Sequence, residues 1–231
     1  MDASYTSDEI YQILEKEIID LDIKPGQALS ENTLCNRFSV SRTPIRSVLQ
    51  RLQLNGLVTI TPYKGTVVTL LDFDIINQII YQRIAVETMV LRDFVNSCGP
   101  MDIEHIRHNI NTMHALLAQP SFEINVFYQI DSLLHEIWFR STRKMYLWEC
   151  FQKAQCHYSR FRMLDIVEAK NFSEILHEHE EILALVENKN IDAIEPLMKK
   201  HLYGGITRLG QLIFTDFKNY FVPTDGMQLE F

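Results

Sequence analysis

The chain has 231 residues, 46% hydrophobic and 23% charged, with a net charge of −8, enough for one or two domains with ordinary buried cores. No run of 18 apolar residues marks a membrane span, and the acidic, polar start MDASYTSDEIYQ excludes a secretory signal. Cys35, Cys98, Cys150 and Cys156 show neither a C-x-x-C nor a paired metal-ligand spacing, which predicts free thiols in a reduced, cytoplasmic protein with no membrane partner.

The charge is unevenly placed. Residues 1–23 hold Asp2, Asp8, Glu9, Glu15, Glu17, Asp20 and Asp22 against Lys16 alone, a net of −6. Residues 24–67 hold Lys24, Arg37, Arg42, Arg46, Arg51 and Lys64 against Glu31 alone, a net of +5. A basic island inside an acidic chain is the electrostatic footprint of a polyanion site.

In chain order, Ser7 is expected to cap a helix running to about Asp20, with Ile10, Ile13, Leu14, Ile18 and Leu21 on its apolar face. Pro25-Gly26 makes a turn, and Ser30 caps a short second helix with Leu34 and Phe38 inward. Ser41 or Thr43 caps a third, whose first turn suits Pro44 and whose buried stripe is Ile45, Val48, Leu49 and Leu52. Asn55-Gly56 ends it. LVTITPYKGTVVTL then alternates with a period of two around Pro62-Tyr63-Lys64-Gly65, which predicts a β-hairpin. From Asp72 the strand signals vanish. Six helices are expected, over about 72–96, 102–119, 121–139, 143–169, 173–187 and 191–213, followed by a loose tail TDGMQLEF. The fold class is therefore mainly α: an N-terminal winged helix-turn-helix of three helices plus a β-hairpin over 1–71, then an all-α six-helix bundle over 72–231.

In such a head the third helix enters a DNA major groove by its N-terminal end. Arg42 and Arg46, four residues apart, share a face and can pair bidentately with guanine or grip phosphate. Ser41 and Thr43 offer hydroxyls to phosphate, Lys64 adds charge in the wing, and Gly65 allows close approach of the wing backbone to a minor groove. The stretch LSENTLCNRFSVSRTPIRSVLQRLQLNGLVTITPYKGTVV resembles the DNA-binding domain of GntR-family transcription regulators, in its Leu29-Ser30-Glu31, Val40-Ser41-Arg42-Thr43-Pro44, Arg46, Leu49, Leu52, Gly56-Leu57-Val58 and Gly65. The resemblance implies a homodimer on a double-stranded operator of two inverted half-sites, touched by Ser41, Arg42, Thr43, Arg46, Lys64 and Gly65. Where some members carry a base-reading Arg or Lys near the start of the second helix this chain has Asn32, leaving Arg37 as the nearer basic candidate.

In the helical half, DSLLHEIW puts Asp131 and His135 at i and i+4, on one face. A helix hairpin folded at Asn190 places His179 and His201 at equal height, each eleven residues from the bend, with His177 competing for the role of His179. Three imidazoles and a carboxylate suit a divalent transition metal: zinc, nickel, manganese or iron. Asp131-x-x-x-His135 and EHEEILALVENKNIDAIEPLMKKHL resemble the FCD ligand-binding domain of the FadR subfamily of GntR regulators, which prefers His179 over His177. Thr142-Arg143 departs from a Gly-Asn pair found in many members. The resemblance implies a pocket for a small carboxylate effector, with Arg83 in YQRIAVE matching the arginine of a Tyr-x-x-Arg-x-x-x-Glu pattern; the bland alternative for Arg83 is an i,i+4 ion pair with Glu87. The expected function is a DNA-binding transcription regulator of the repressor type, controlled by that carboxylate. A regulator in which the metal itself is the signal is the alternative, and no catalytic residues are expected.

Overall fold

The computed structural model describes residues 5–154 and 156–223. The tail TDGMQLEF expected to be loose lies outside them. The residues group into two compact units: one reaches through Phe73 and includes Ser159–Met163 and the stretch from Gln211, and the other is formed by Asp74–Tyr158 and Leu164–Gly210.

In the first unit, α1 (Ser7–Ile19), α2 (Glu31–Phe38) and α3 (Arg42–Leu54) precede strands β2 (Val58–Thr61) and β3 (Gly65–Val68). Thr6 rather than Ser7 caps α1: its Oγ1 accepts from Glu9 N at 3.3 Å, while the Glu9 carboxylate accepts from Thr6 N at 2.8 Å. This T-x-x-E box satisfies two of the helix's free N–H groups at once, which a cap at Ser7 would not. Ser30 caps α2 by accepting from Thr33 N at 3.4 Å, and Ser39 closes it in the left-handed region with φ 53°. The α3 stripe is buried as expected at Ile45, Val48, Leu49 and Leu52. It packs against α1, whose Ile10, Leu14 and Ile18 are buried. Leu21 is buried too, but beyond the helix, at φ 66°.

The β2–β3 hairpin pairs Val58 with Val68 and Thr61 with Gly65. A third strand, β1 (Ala28–Leu29), adds to β3, giving the order β1-β3-β2. Two residues are too few to show a period in sequence. The turn needs positive φ at Tyr63 (63°) and Gly65 (102°), and a side chain at the second would be strained although nothing crowds it. Arg160, fully buried, donates to the Thr69 carbonyl at 2.6 Å and to Thr69 Oγ1 at 3.0 Å, and the Thr69 hydroxyl in turn donates to Gly56 O at 2.7 Å.

The second unit is helical: α4 (Phe73–Ser97), α5 (Pro100–Leu117), α6 (Ile124–Ser141), α7 (Met145–Ala154), α8 (Cys156–Ala169), α9 (Phe172–Glu187) and α10 (Ile194–Leu209). The segment expected as one helix over 143–169 is described as two, flanking residue 155, which lies outside the described residues. α5 begins earlier than expected because the Asp102 carboxylate accepts from Gly99 N at 2.9 Å and Pro100 tolerates the first turn. Asn188 ends α9, and a 3-10 turn, Ile191–Ala193, leads into α10. Polar residues interrupt the inward stripes of three helices. On α6 the buried set runs Phe127, Asp131, Leu134, His135, Trp138; on α9 it includes Ile175, His179, Ile182 and Val186; on α10 it includes Ile194, Met198, His201 and Leu202. Among the described residues, no helix is long and apolar enough to cross a membrane.

Candidate metal centre and nucleic-acid interface

The three interrupted stripes meet. His135, His179 and His201 each offer a nitrogen within 4.8 Å of the others, and all three are buried. His135 Nε2 faces His201 Nε2 at 3.1 Å, and Asp131 Oδ1 lies 3.4 Å from His179 Nε2. His177 instead sits on the outside, beside Glu180 at 3.4 Å.

The far side of each ring decides the chemistry of the near side. His135 Nδ1 is 2.6 Å from Glu87 Oε2, and His201 Nδ1 is 2.7 Å from Glu178 Oε2. Burial pushes the Glu87 carboxyl up, but the Arg83 guanidinium and His135 outweigh it and hold it at about 2. Arg83 Nε already donates to Glu87 Oε1 at 2.5 Å, which favours an accepting carboxylate on His135 Nδ1. Arg208 Nη1 donates to Glu178 Oε1 at 3.0 Å, which favours an accepting carboxylate on His201 Nδ1 as well. With Nδ1 of each ring turned to an acid, the two Nε2 atoms face each other across 3.1 Å. A cation between them, a shared proton or a metal ion, satisfies both nitrogens. The spacing is close to the ~3.3 Å edge of a tetrahedral site with bonds of ~2.0 Å. The donor set therefore fits a divalent transition metal, with Asp131 reducing the net charge on the ion. His179 differs from its companions, because its Nδ1 meets Met113 Sδ at 3.4 Å, a weak acceptor.

Arg83 is buried beside this cluster. Its Nε donates to Glu87 Oε1 at 2.5 Å, its Nη2 is 3.3 Å from His135 Nδ1, and its guanidinium lies 4.8 Å from the Tyr158 ring centre. Burial works against its charge and Glu87 more than restores it. The i,i+4 pair weighed for Arg83 is thus present, buried rather than on the surface. The tyrosine of the pattern does not accompany it: Tyr81 stands two residues earlier and is 71% exposed, and the ring on Arg83 belongs to α8.

In the first unit Ser41, Arg42, Thr43, Arg46, Lys64 and Gly65 are all exposed. Arg42 Nη2 donates to Asn32 Oδ1 at 2.9 Å, and Arg46 Nε donates to both Glu31 carboxylate oxygens at 3.1 Å. Arg37 grips Glu17 of α1, with Nη1 to Oε2 at 2.7 Å, and Arg51 bonds Asp8 at 2.6 Å while stacking on Tyr11. The basic island thus finds acid partners from outside α3, drawn from α2 and from the acidic α1. Tyr63, fully exposed at the wing tip, joins Lys64 there.

Residues 6–68 match the model of bacterial regulatory proteins of the gntR family, and residues 78–204 match the FCD domain. The chain belongs to the GntR family. It is a DNA-binding transcription regulator with an FCD domain, not an enzyme. The HTH-type transcriptional repressor RspR of Escherichia coli K12 is 24% identical over 194 residues, covering 84% of each chain. The gluconate operon transcriptional repressor of Bacillus licheniformis is 25% identical over 197 residues, covering 82% of this chain and 77% of that one. The fold is shared with E. coli McbR/YncC, at a TM-score of 0.67 and 18% identity over 89% of this chain and 97% of that one. A GntR regulator from Rhodococcus sp. RHA1 gives a TM-score of 0.66 at 20% identity, over 88% and 97%.

Within this GntR chain, the groups that sequence reasoning missed are those behind the histidines: Glu178, Met113, Arg208 and Asp165, with Glu87 noticed only as a partner of Arg83. Arg208 donates to Asp165 at 2.9 Å as well as to Glu178. For Glu178, Arg208 and Asp165 the sequence signal is an acid or base within a buried helical face; Met113 carries none.

Proposed function

We infer that this regulator is a repressor that binds as a homodimer to an operator of two inverted half-sites, and that a metal-held small carboxylate controls its affinity. The DNA reading rests on the exposed row Ser41, Arg42, Thr43 and Arg46 at the N-terminal end of α3, with Lys64 and Gly65 in the wing and Arg37 as a flanking contact. Arg42 and Arg46 are held ready by exposed partners, which DNA phosphates and guanine edges can replace at little cost. The repressor sign is supported by relatives named as repressors.

The effector reading rests on one observation above all: two imidazole nitrogens whose outer faces are held by acids point at each other across 3.1 Å. Asp131, His135, His179 and His201 would hold the ion. When bound, it supplies a Lewis-acidic centre for carboxylate oxygens. Arg83 would add positive charge beside it. An effector changes DNA affinity only by binding one arrangement of the dimer better than the other.

The test starts from a duplex selected by the protein out of a random library. Its affinity is measured with Zn²⁺-loaded and chelator-stripped protein, each with and without citrate, acetate or D-gluconate. A carboxylate that weakens binding about 5- to 150-fold only in the loaded protein supports the reading. No response to any carboxylate, together with affinity that tracks the metal alone, would replace it with the metal-signal alternative. That alternative is favoured by the deep burial of the whole ligand set, Asp131 included.

A further inference from the structure

The two facing histidines are backed in the same way. Behind His135 stands Glu87, at 2.6 Å, and behind Glu87 stands Arg83, at 2.5 Å. Behind His201 stands Glu178, at 2.7 Å, and behind Glu178 stands Arg208, at 3.0 Å, which also holds Asp165 at 2.9 Å. Every side chain in both series is buried; Glu87 and Asp165 are 0% exposed.

Such an arrangement is costly without a purpose. Buried carboxylates and guanidiniums lose hydration that pairing only partly restores, and an apolar core of the same shape is often as stable or more so. The acids are also placed specifically. Each sits on the outer nitrogen of a ring whose inner nitrogen faces the cluster, and each is itself fixed by a cation, so it cannot rotate away. The outer nitrogen of His179 meets the Met113 sulfur at 3.4 Å, and its inner nitrogen has Asp131 beside it.

We propose that Glu87 and Glu178 are positioning residues, which Arg83 and Arg208 hold in place so that His135 and His201 are fixed as Nδ1–H tautomers presenting paired Nε2 lone pairs. A divalent transition metal is what that pair selects. An acid accepting from the outer N–H makes the inner nitrogen more basic and sets the plane of the ring, so metal affinity is controlled from behind the ligands. Arg83 thereby acts on the site through Glu87. The inference deepens the metal-site reading above and rests on it for its consequence, while the acids that favour the Nδ1–H form stand on the outer nitrogens without any ion.

Two measurements test it. The first uses the wild-type chain with ¹⁵N-labelled histidine, freed of metal by chelator, in long-range ¹H–¹⁵N correlation spectra assigned with single His variants. His135 and His201 are expected as Nδ1–H tautomers. The Nε2–H form at both would overturn the proposal. The second measures Zn²⁺ affinity by competition with a chromophoric chelator, for wild type, Glu87→Gln and Glu178→Gln. Each variant removes the negative charge while keeping the shape. Thermal melts of the metal-free forms establish that the variants fold. An affinity loss of about 10- to 100-fold in each folded variant is expected. Wild-type affinity in both would overturn the proposal even if the tautomers were as stated. If either variant fails to fold, the tautomers of the wild-type chain decide. Wild-type protein that takes up no Zn²⁺ sinks the metal-site reading, and the spectra then decide the positioning role on their own.

Discussion

At the level of single residues, base reading and charge predict different losses on the proposed DNA face. Arg46 is exposed and tethered to Glu31, an ion pair of the kind worth about 0–1 kcal/mol. If it reads a guanine, Arg46→Ala weakens binding to the selected duplex by about 1–3 kcal/mol and leaves binding to random DNA nearly unchanged. Lys64→Ala weakens binding to both and flattens the dependence of log affinity on log salt by about one unit. Fluorescence anisotropy on the two duplexes over a salt series measures both; equal losses on specific and random DNA for Arg46→Ala contradict the base-reading role. These positions were legible because charge, spacing and turn residues lie close together in sequence. The acid partners were not. Glu31, Glu17 and Asp8 reach the arginines from 15 to 43 residues away, a distance that no local pattern encodes.

At the level of elements, the stripes on α1, α2 and α3 were readable from periodicity, and so was the hairpin, since both follow from which side chains must leave water. What failed were boundaries and very short pieces: the cap at Thr6 and the two-residue strand β1. The convergence of His135, His179 and His201 was readable in part because i,i+4 spacing and equal height about a bend are geometric consequences of helices. The acids behind them lie on α4 and α9 and meet the rings only through tertiary packing. The α1–α3 contact carries its own prediction. Tyr11 is buried there, its hydroxyl bonded to Glu15 and Asn55, and burial together with the Glu15 carboxylate pushes that hydroxyl up to about 12 from its ordinary value of 10. A folded-state value above the unfolded one means that the native state holds the proton longer, so its contribution is complete below pH 10 and is lost as pH rises toward 12. Wild type is therefore expected to lose stability relative to Tyr11→Phe over that interval. Denaturant unfolding at several pH values tests this, and identical slopes for the two proteins would contradict it.

At the level of the whole molecule, the chain joins a DNA-binding unit to a helical unit whose core holds a cluster of three histidines. In the helical unit, four arginine and glutamate side chains serve two histidines, and the histidines converge with a third and with Asp131. The central claim is that this convergence is a metal centre and not a polar core. Elemental mass spectrometry on protein purified without a metal-affinity tag tests it most directly, with His135→Ala/His179→Ala prepared in parallel. The account predicts about one zinc, nickel, manganese or iron per wild-type chain and none above background in the double variant. Wild-type protein that remains free of metal, even after incubation with each of these ions, would contradict it.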